Sequence, residues 1–382
     1  MRWRSVYGTN KSDLPTQQAL QATTREGFHL RLHKGTRYAG AVSGGDGEEQ
    51  TDFKRIFRFY NKNIILSVAQ GISIIQFATT LLYLQNKSSD YMKPIIKYRG
   101  GKSKEIPLLV PYIPKFSGRY IEPFLGGGAM YFYLEPSNAI VNDINNKLMT
   151  FYKGVQQNYL ELKRELSEIE KIYTINRSAF EVLKKKHPEE RVTDGNETLY
   201  YFLRDMYNDL IPPSYSSAAL YYFINKTAYS GMIRYNSKGE YNVPYGRYRN
   251  FNTGLITEAH HKLLANTKIF TGDYSHIFEM ANKNDFIFLD PPYDCIFSDY
   301  GNDEYKEGFN EANHRKLAAD FFNLKCKALM VIGATPLTRK LYGNNIIAEY
   351  GKSYSVNIRN RFQAEATHII ITNYGNPQES SN

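Results

Sequence analysis

An α/β fold, a doubly wound sheet with a mainly helical segment inserted into it, is the architecture that these 382 residues predict. Three observations carry it. Short apolar runs rich in β-branched and aromatic residues alternate with helical patterns on both sides of a long middle stretch. One run breaks into a glycine-rich turn and others end in carboxylates, as strands do in sheets that bind ligands at their carboxyl ends. The middle stretch is charged, tyrosine-rich and helical in pattern.

In chain order, residues 1–91 form an extension that opens polar and rich in Gly and Thr, and stops just before Met92-Lys93-Pro94-Ile95-Ile96-Lys97. Within it the uncharged run from Ile64 to Leu84 is long enough to cross a bilayer. Its polar residues Ser67, Gln70, Ser73, Gln76 and Thr79 recur every three positions and drift around a helix, giving neither an amphipathic face nor an apolar rod. A loosely attached helix, or upstream sequence joined to the true start, is therefore expected ahead of a membrane span. A signal peptide is not expected, because the apolar run begins too late.

Residues 92–152 and 261–382 carry the sheet, with strands expected at Tyr120–Phe124, Ala139–Val141, Lys268–Thr271, Phe286–Leu289, Ala328–Ile332 and His368–Thr372. Residues 153–260 are the helical insert, with Leu160–Glu170 and Thr198–Asp209 its clearest helices. The formal net charge is +10, half of it in residues 1–91, which favours a polyanionic partner. The 32 tyrosines suit nucleic acid as well as an ordinary core. Two cysteines, Cys295 and Cys326, provide neither a metal-ligand set nor a disulfide framework, so no metal is expected and an intracellular, cytoplasmic protein fits.

The densest chemistry lies at Asp290-Pro291-Pro292-Tyr293, which ends the apolar run Phe286-Ile287-Phe288-Leu289. An amino group on a flat base has its lone pair delocalised into the ring, and acceptors aimed at its two N–H bonds draw that density back to nitrogen. Asp290 offers one acceptor. The Pro291 carbonyl offers a second, its direction restricted by the proline that follows, and Tyr293 can stack on the ring. The plainer alternative is a turn that ends a buried strand, since Asp and Pro punctuate strands in any fold.

Upstream, Arg119-Tyr120-Ile121-Glu122-Pro123-Phe124-Leu125-Gly126-Gly127-Gly128-Ala129-Met130 is an apolar run that opens into glycines and resumes as a helix. Glycines there let backbone approach a ligand. Ala139-Ile140-Val141-Asn142-Asp143 follows, ending in the carboxylate position that holds ribose hydroxyls in doubly wound nucleotide folds. A phosphate cradle is disfavoured. No Gly-Lys-Ser/Thr closes the loop, and Glu122 would repel a phosphate while tolerating a cationic sulfonium.

Taken in order, Lys97-Tyr98-Arg99-Gly100-Gly101-Lys102, the Glu122 to Gly128 turn, Asp143 and Asp290-Pro291-Pro292-Tyr293 resemble DNA adenine-N6 methyltransferases of the Dam family. The stretch Asn225-Lys226-Thr227-Ala228-Tyr229-Ser230-Gly231-Met232-Ile233-Arg234-Tyr235-Asn236, continuing to Tyr248, resembles that family's DNA-reading hairpin, placed here at 225–248. The resemblance runs from about Met92 to Tyr374. It implies a Rossmann-like methyltransferase sheet, with 153–260 as the DNA-recognition part, and transfer of methyl from S-adenosylmethionine to N6 of adenine in duplex DNA.

Carried over by position, Tyr98, Lys102, Glu122, Phe124, Gly126, Gly128, Asp143, Asp273, Tyr274 and Asp290 would form the cofactor site. Asp290, Pro291, Pro292 and Tyr293 would act on the base. Lys97, Tyr229, Ser230, Met232, Arg234, Asn236, Pro244, Arg247 and Tyr248 would contact DNA. Arg234 can fork to guanine O6 and N7, and Met232 and Pro244 can touch a thymine methyl. Lys97, Arg234, Pro244 and Tyr248 match the pattern of relatives that read GATC. The target base would be flipped from the stack, Tyr229 filling the gap beside the small Ser230. Tyr98 departs from the tryptophan common in relatives but keeps an aromatic wall.

The resemblance also implies a monomer, and admits a cognate restriction endonuclease as a partner. Two alternatives stand beside it: an amino-group methyltransferase acting on cytosine N4, RNA or a protein amide, and a DNA-binding regulator that has lost turnover. Asp143 could instead cap a helix, Asp273 could be a turn carboxylate, and Arg234, Arg247 and Arg249 could only grip phosphates. His314, after the Asp290 motif, is expected to pack or face solvent, not to serve as a base.

Overall fold

In the computed structural model the described residues are 91–293, 309–353 and 365–377. The expectations for residues 1–90, including the Ile64–Leu84 run, and for Cys295 lie outside them. Seven strands form one mixed, mostly parallel sheet: β1 (Tyr120–Glu122), β2 (Ala139–Asp143), β3 (Thr267–Thr271), β4 (Phe286–Leu289), β5 (Lys327–Gly333), β6 (Ile346–Ser353) and β7 (Glu365–Thr372), in spatial order β3-β2-β1-β4-β5-β7-β6. The first five pair in parallel, and β7 runs antiparallel between β5 and β6.

Parallel strands need both faces covered, and their side chains divide accordingly. Tyr120, Phe286, Phe288, Leu329, Val331 and Ile370 join one apolar cluster, while Ile121, Ile287, Leu289, Met330, Ile332 and Ile371 join the other. That strict alternation is the period-2 pattern of pleated strands. The chain winds one way from β1 through β2 to β3 and the other way from β4 to β5. The switch point thus falls between β1 and β4, paired through Tyr120↔Phe286 and Ile121↔Ile287. Crevices open at such points.

The expected strand set holds, with one omission. Strand β6 was not foreseen: Ile346-Ile347-Ala348-Glu349-Tyr350-Gly351 lacks alternation, and a register irregularity interrupts it between Ile346 and Ala348.

Short helices α1 (Ile106–Leu109) and α2 (Ala129–Leu134) flank β1, and α3 (Asn146–Gln157) follows β2. Asn145 caps α3 by accepting the N–H of Leu148 at 3.0 Å. Between β2 and β3 also lie α4 (Tyr159–Lys186), α5 (Gly195–Tyr207) and α6 (Ser217–Thr227), with α7 (Glu258–Ala265) leading into β3. Buried residues of α4 to α6, among them Leu166, Tyr173, Tyr200 and Phe223, share one apolar cluster with Phe286 and Val331 of the sheet. After β3 come α8 (Ser275–Glu279), α9 (Glu311–Asn323) and α10 (Pro336–Tyr342).

The stretch expected as a hairpin at 225–248 begins otherwise, because Asn225 to Thr227 complete α6. A single 3₁₀ turn, Tyr229–Gly231, follows. The remainder is a loop pinned by two antiparallel bridges, Ala228↔Tyr245 and Tyr235↔Tyr241, with no regular ladder. Pro244 and glycines at 231, 239 and 246 interrupt pairing. His314 is buried, edge-on to Phe309 at 4.7 Å, a packing role as expected. No helix among the described residues is long and apolar enough to cross a membrane, and none of their His, Cys, Asp and Glu side chains group to hold a metal ion.

Candidate active site

The turn after β1 is built around the ring of Tyr98. Gly126 and Gly128 have φ of +48° and +66°. A Cβ on Gly126 would meet Tyr98 Cε1 at 2.7 Å, and one on Gly127 would meet Tyr98 Cβ at 2.9 Å. Any side chain there would displace either the aromatic ring or the backbone. The loop is then stapled to its neighbours. Asp143 Oδ2 accepts the N–H of Gly126 at 2.8 Å, and Asn142 Nδ2 donates to the carbonyls of Pro123 and Gly272 at 3.0 and 2.8 Å. Asp143 does not cap α3: its other oxygen accepts the N–H of Asn145 at 2.9 Å.

Glu122, at the end of β1, is 2% exposed and accepts a hydrogen bond from Tyr120 Oη at 2.6 Å. Burial pushes its carboxyl up to about 8, against the lowering effect of that bond, and the charges of Asp290 and Asp143 add to the rise. Three acidic side chains thus face one space.

Asp290, one residue past β4, is ion-paired with Lys102. Lys102 Nζ donates to its Oδ1 and Oδ2 at 2.7 and 2.8 Å, and also to the hydroxyl of Tyr293. The Tyr293 hydroxyl lies 3.4 Å from Asp290 Oδ1, and the Lys102 ammonium 4.9 Å from the Tyr293 ring centre. Lys102 is 2% exposed, so a buried ammonium is held against a half-buried carboxylate and phenol.

Tyr98, Lys102, Glu122, Phe124, Gly126, Gly128, Asp143, Tyr274 and the run from Asp290 to Tyr293 line one cavity. Asp273, expected beside them, instead bonds locally: one of its oxygens accepts from the backbone N–H and the hydroxyl of Ser275. Arg99, Ile144, Gly272 and Phe288 line the same cavity and were not singled out in the sequence. Ile144 and Gly272 follow strand ends, a signal that could have marked them.

The loop between Ala228 and Tyr248 gathers the residues expected at DNA. Tyr229 is 46% exposed at its tip, beside Ser230 with φ of +55°. Arg234 is exposed, and its Nε donates to Asn242 Oδ1 at 2.7 Å. Pro244 accepts the N–H of Tyr229 at 2.9 Å, and Met232 accepts from Tyr241 Oη at 2.6 Å. Lys97 joins them from far upstream in the sequence, its Nζ 3.9 Å above the Tyr248 ring centre and its side chain against Gly231. Asn236 does not face outward in the same way: its Oδ1 accepts the N–H groups of Lys238 and Glu240, both at 2.9 Å, closing the turn. Arg247 reaches Glu197 at 3.2 Å.

Known proteins share this arrangement in sequence. The profile of the D12 class N6 adenine-specific DNA methyltransferase family matches residues 98–356. The chain belongs to this family. It is 34% identical to the type II methyltransferase M.CviBI of Paramecium bursaria Chlorella virus NC1A over 291 residues, which is 74% of this chain and 100% of that protein. It is 29% identical to the type II methyltransferase M1.LlaDCHI of Lactococcus lactis subsp. cremoris, over 77% of this chain and 99% of that one. Identity to the DNA adenine methylase of Salmonella typhi is 26%, over 65% and 84% of the two chains.

Methyltransferases of this kind generally use S-adenosylmethionine, and the cavity of this D12 member fits it. Asp143 and Asp290, joined by Glu122 once it ionises, would disfavour a phosphate and favour a cationic ligand, while the Gly126–Gly128 backbone leaves room for close approach. Tyr98, Phe124 and Tyr274 supply aromatic walls, with Phe124 and Tyr274 ring centres 5.3 Å apart.

Proposed function

We propose that this chain methylates N6 of adenine in duplex DNA, at GATC, using S-adenosylmethionine and a flipped-out base. The observation that carries the reading is the Lys102–Asp290–Tyr293 set at the carboxyl end of β4, inside the cavity that also holds the Gly126–Gly128 turn. The glycine turn, Glu122, Asp143 and the Phe124 and Tyr274 rings would hold the cofactor, which when bound would supply an electrophilic methyl group.

The residues of the chain do the rest by placement. Lys102 presents N–H donors to Asp290 in the absence of a base. The exocyclic amine is a donor of the same kind, so it exchanges with the ammonium at the Asp290 carboxylate. Bonds from N6 to Asp290 and to the Pro291 carbonyl localise its lone pair and direct it toward the glycine turn, which is catalysis by orientation and fixed dipoles. The amine proton leaves to water or to Asp290 once nitrogen has formed its new bond.

Flipping costs a few kcal/mol of unstacking and unpairing. Tyr293 offers the stacking face, and exposed Tyr229 fills the vacated position in the duplex. Lys97 and the loop carrying Met232, Arg234 and Pro244 read the bases, with Arg247 on the phosphates. The helical residues 153–260 form the recognition part.

Expression of the full chain in cells lacking DNA methylation, followed by genome-wide mapping of N6-methyladenine, tests this. Methylation at GATC, lost with Asp290→Ala, is the expected result. Unmodified adenine in cells that express the unsubstituted chain would overturn the activity. Methylation at other sites would overturn only GATC.

A further inference from the structure

Against Tyr293 stands a polar cluster that none of the steps above uses. Glu105, immediately before α1, is 5% exposed, and His368, within β7, is 0% exposed. His368 Nδ1 lies 3.0 Å from Glu105 Oε2, and the Tyr350 hydroxyl of β6 donates to the same oxygen. Tyr350 is the register partner of His368 on one side, and Gly333 of β5 is its partner on the other. The His368 ring meets the Tyr293 ring with centroids 5.1 Å apart at 76°, and the Tyr350 ring at 5.3 Å and 73°. Tyr293 also overlies Gly333, its ring carbons 3.8 Å from where a Cβ would stand.

One turn of chain serves both ends of the Tyr293 ring. The N–H groups of Glu105 and Ile106 donate to the Lys102 carbonyl at 2.7 and 3.1 Å. Lys102 and Glu105 are thereby set on a single turn, Lys102 reaching the Tyr293 hydroxyl and Glu105 reaching the imidazole that abuts the ring. A carboxylate only accepts, so the imidazole carries a proton on Nδ1 and its plane is set by that bond. Burying an acid and an imidazole costs more than burying apolar side chains of the same volume, so packing alone does not account for the pair.

We propose that Glu105 and His368 are positioning residues that fix the plane of the Tyr293 ring, with Tyr350 completing the hold on Glu105. The value of a fixed ring rests on the reading of Tyr293 as the platform for the flipped base. A ring free to tilt would leave the amine off the line that Asp290 and Pro291 define.

The test uses the full chain with 3-fluorotyrosine placed at position 293, as such and carrying His368→Gln or Glu105→Gln, with Tyr350→Phe as the mildest change. The ¹⁹F signal should shift and broaden in His368→Gln and Glu105→Gln, while affinity for S-adenosylhomocysteine stays within about twofold. In the unlabelled proteins kcat for methyl transfer should fall roughly tenfold or more with little change in KM for the cofactor. An unchanged ¹⁹F signal overturns the proposal. So does a parallel loss of cofactor affinity and folded fraction, which marks a merely structural role. A chain that methylates no adenine overturns the functional reading instead, and the ¹⁹F signal then decides the positioning claim alone.

Discussion

The carboxamide of Asn225 holds both backbone groups of Lys97: Oδ1 accepts its N–H at 2.9 Å, and Nδ2 donates to its carbonyl at 2.7 Å. Two residues 128 positions apart are thereby joined as a pair of strand residues would be. Asn225 closes α6, so the lysine that precedes the sheet is fixed to the root of the loop carrying Tyr229 and Arg234.

Asn225→Ala should therefore damage reading and folding together. Loss of two bonds at a 7% exposed site is expected to cost about 1–3 kcal/mol of stability in denaturant unfolding. Affinity for a cognate duplex should fall beyond what the unfolded fraction explains, because Lys97 loses its fixed position. Equal affinities per folded molecule would refute the second part.

Lys102→Met leaves the Asp290 carboxylate without its ammonium partner. Stability should drop by about 1–3 kcal/mol, less than for a fully buried pair because the Asp290 side chain is 22% exposed. Asp290→Ala should reduce kcat by about a hundredfold or more while changing cofactor affinity far less. Single-turnover methyl transfer beside calorimetric cofactor binding separates the two.

Glu122 gives a pH dependence whose sign is fixed by its raised carboxyl, at about 8. A folded-state value above the ordinary one of 4.5 means that ionisation opposes folding, so stability falls as pH rises from there through about 8. A cationic ligand prefers the ionised form. Binding of S-adenosylmethionine relative to the uncharged thioether S-adenosylhomocysteine should thus strengthen from about pH 6 to about pH 9, releasing a proton. Glu122→Gln should flatten the ratio; an unchanged slope would show that another group titrates.

Arg234 and Arg247 should differ in kind. Arg234→Ala is expected to relax discrimination at one base pair by about 1–3 kcal/mol. Arg247→Ala should weaken all duplexes alike and lower the slope of log K against log salt by about 1. Competition binding over single-base variants of the site, at several salt concentrations, tells base contact from phosphate contact.

The strands that build the site were legible because β1, β4 and β5 alternate cleanly and are covered on both faces. Strand β6 was not, since its pairing with β7 is non-local and its own pattern is broken by Gly351 and the irregularity after Ile346. The motif residues of the cavity were legible because each glycine, proline or acid there answers a local need of the chemistry. Glu105 and His368 were not, lying 263 positions apart with no local pattern to join them. Asp273 and Asn236 were read in the sequence as facing a ligand. Their side chains suit a ligand, yet the same short polar groups bond readily to neighbouring backbone, and here they close turns.

The apolar cluster that runs unbroken from Phe286 and Val331 through Phe223, Tyr200 and Tyr173 has a consequence for engineering. Grafting helices α4 to α6 from a relative with another target would cut through a shared interior, leaving cavities and overpacked contacts on both sides of the seam. If the loop reads bases as proposed, new specificity is more readily sought by exchanging a few of its exposed side chains, such as Arg234 and Pro244, than by transplanting the body that carries them.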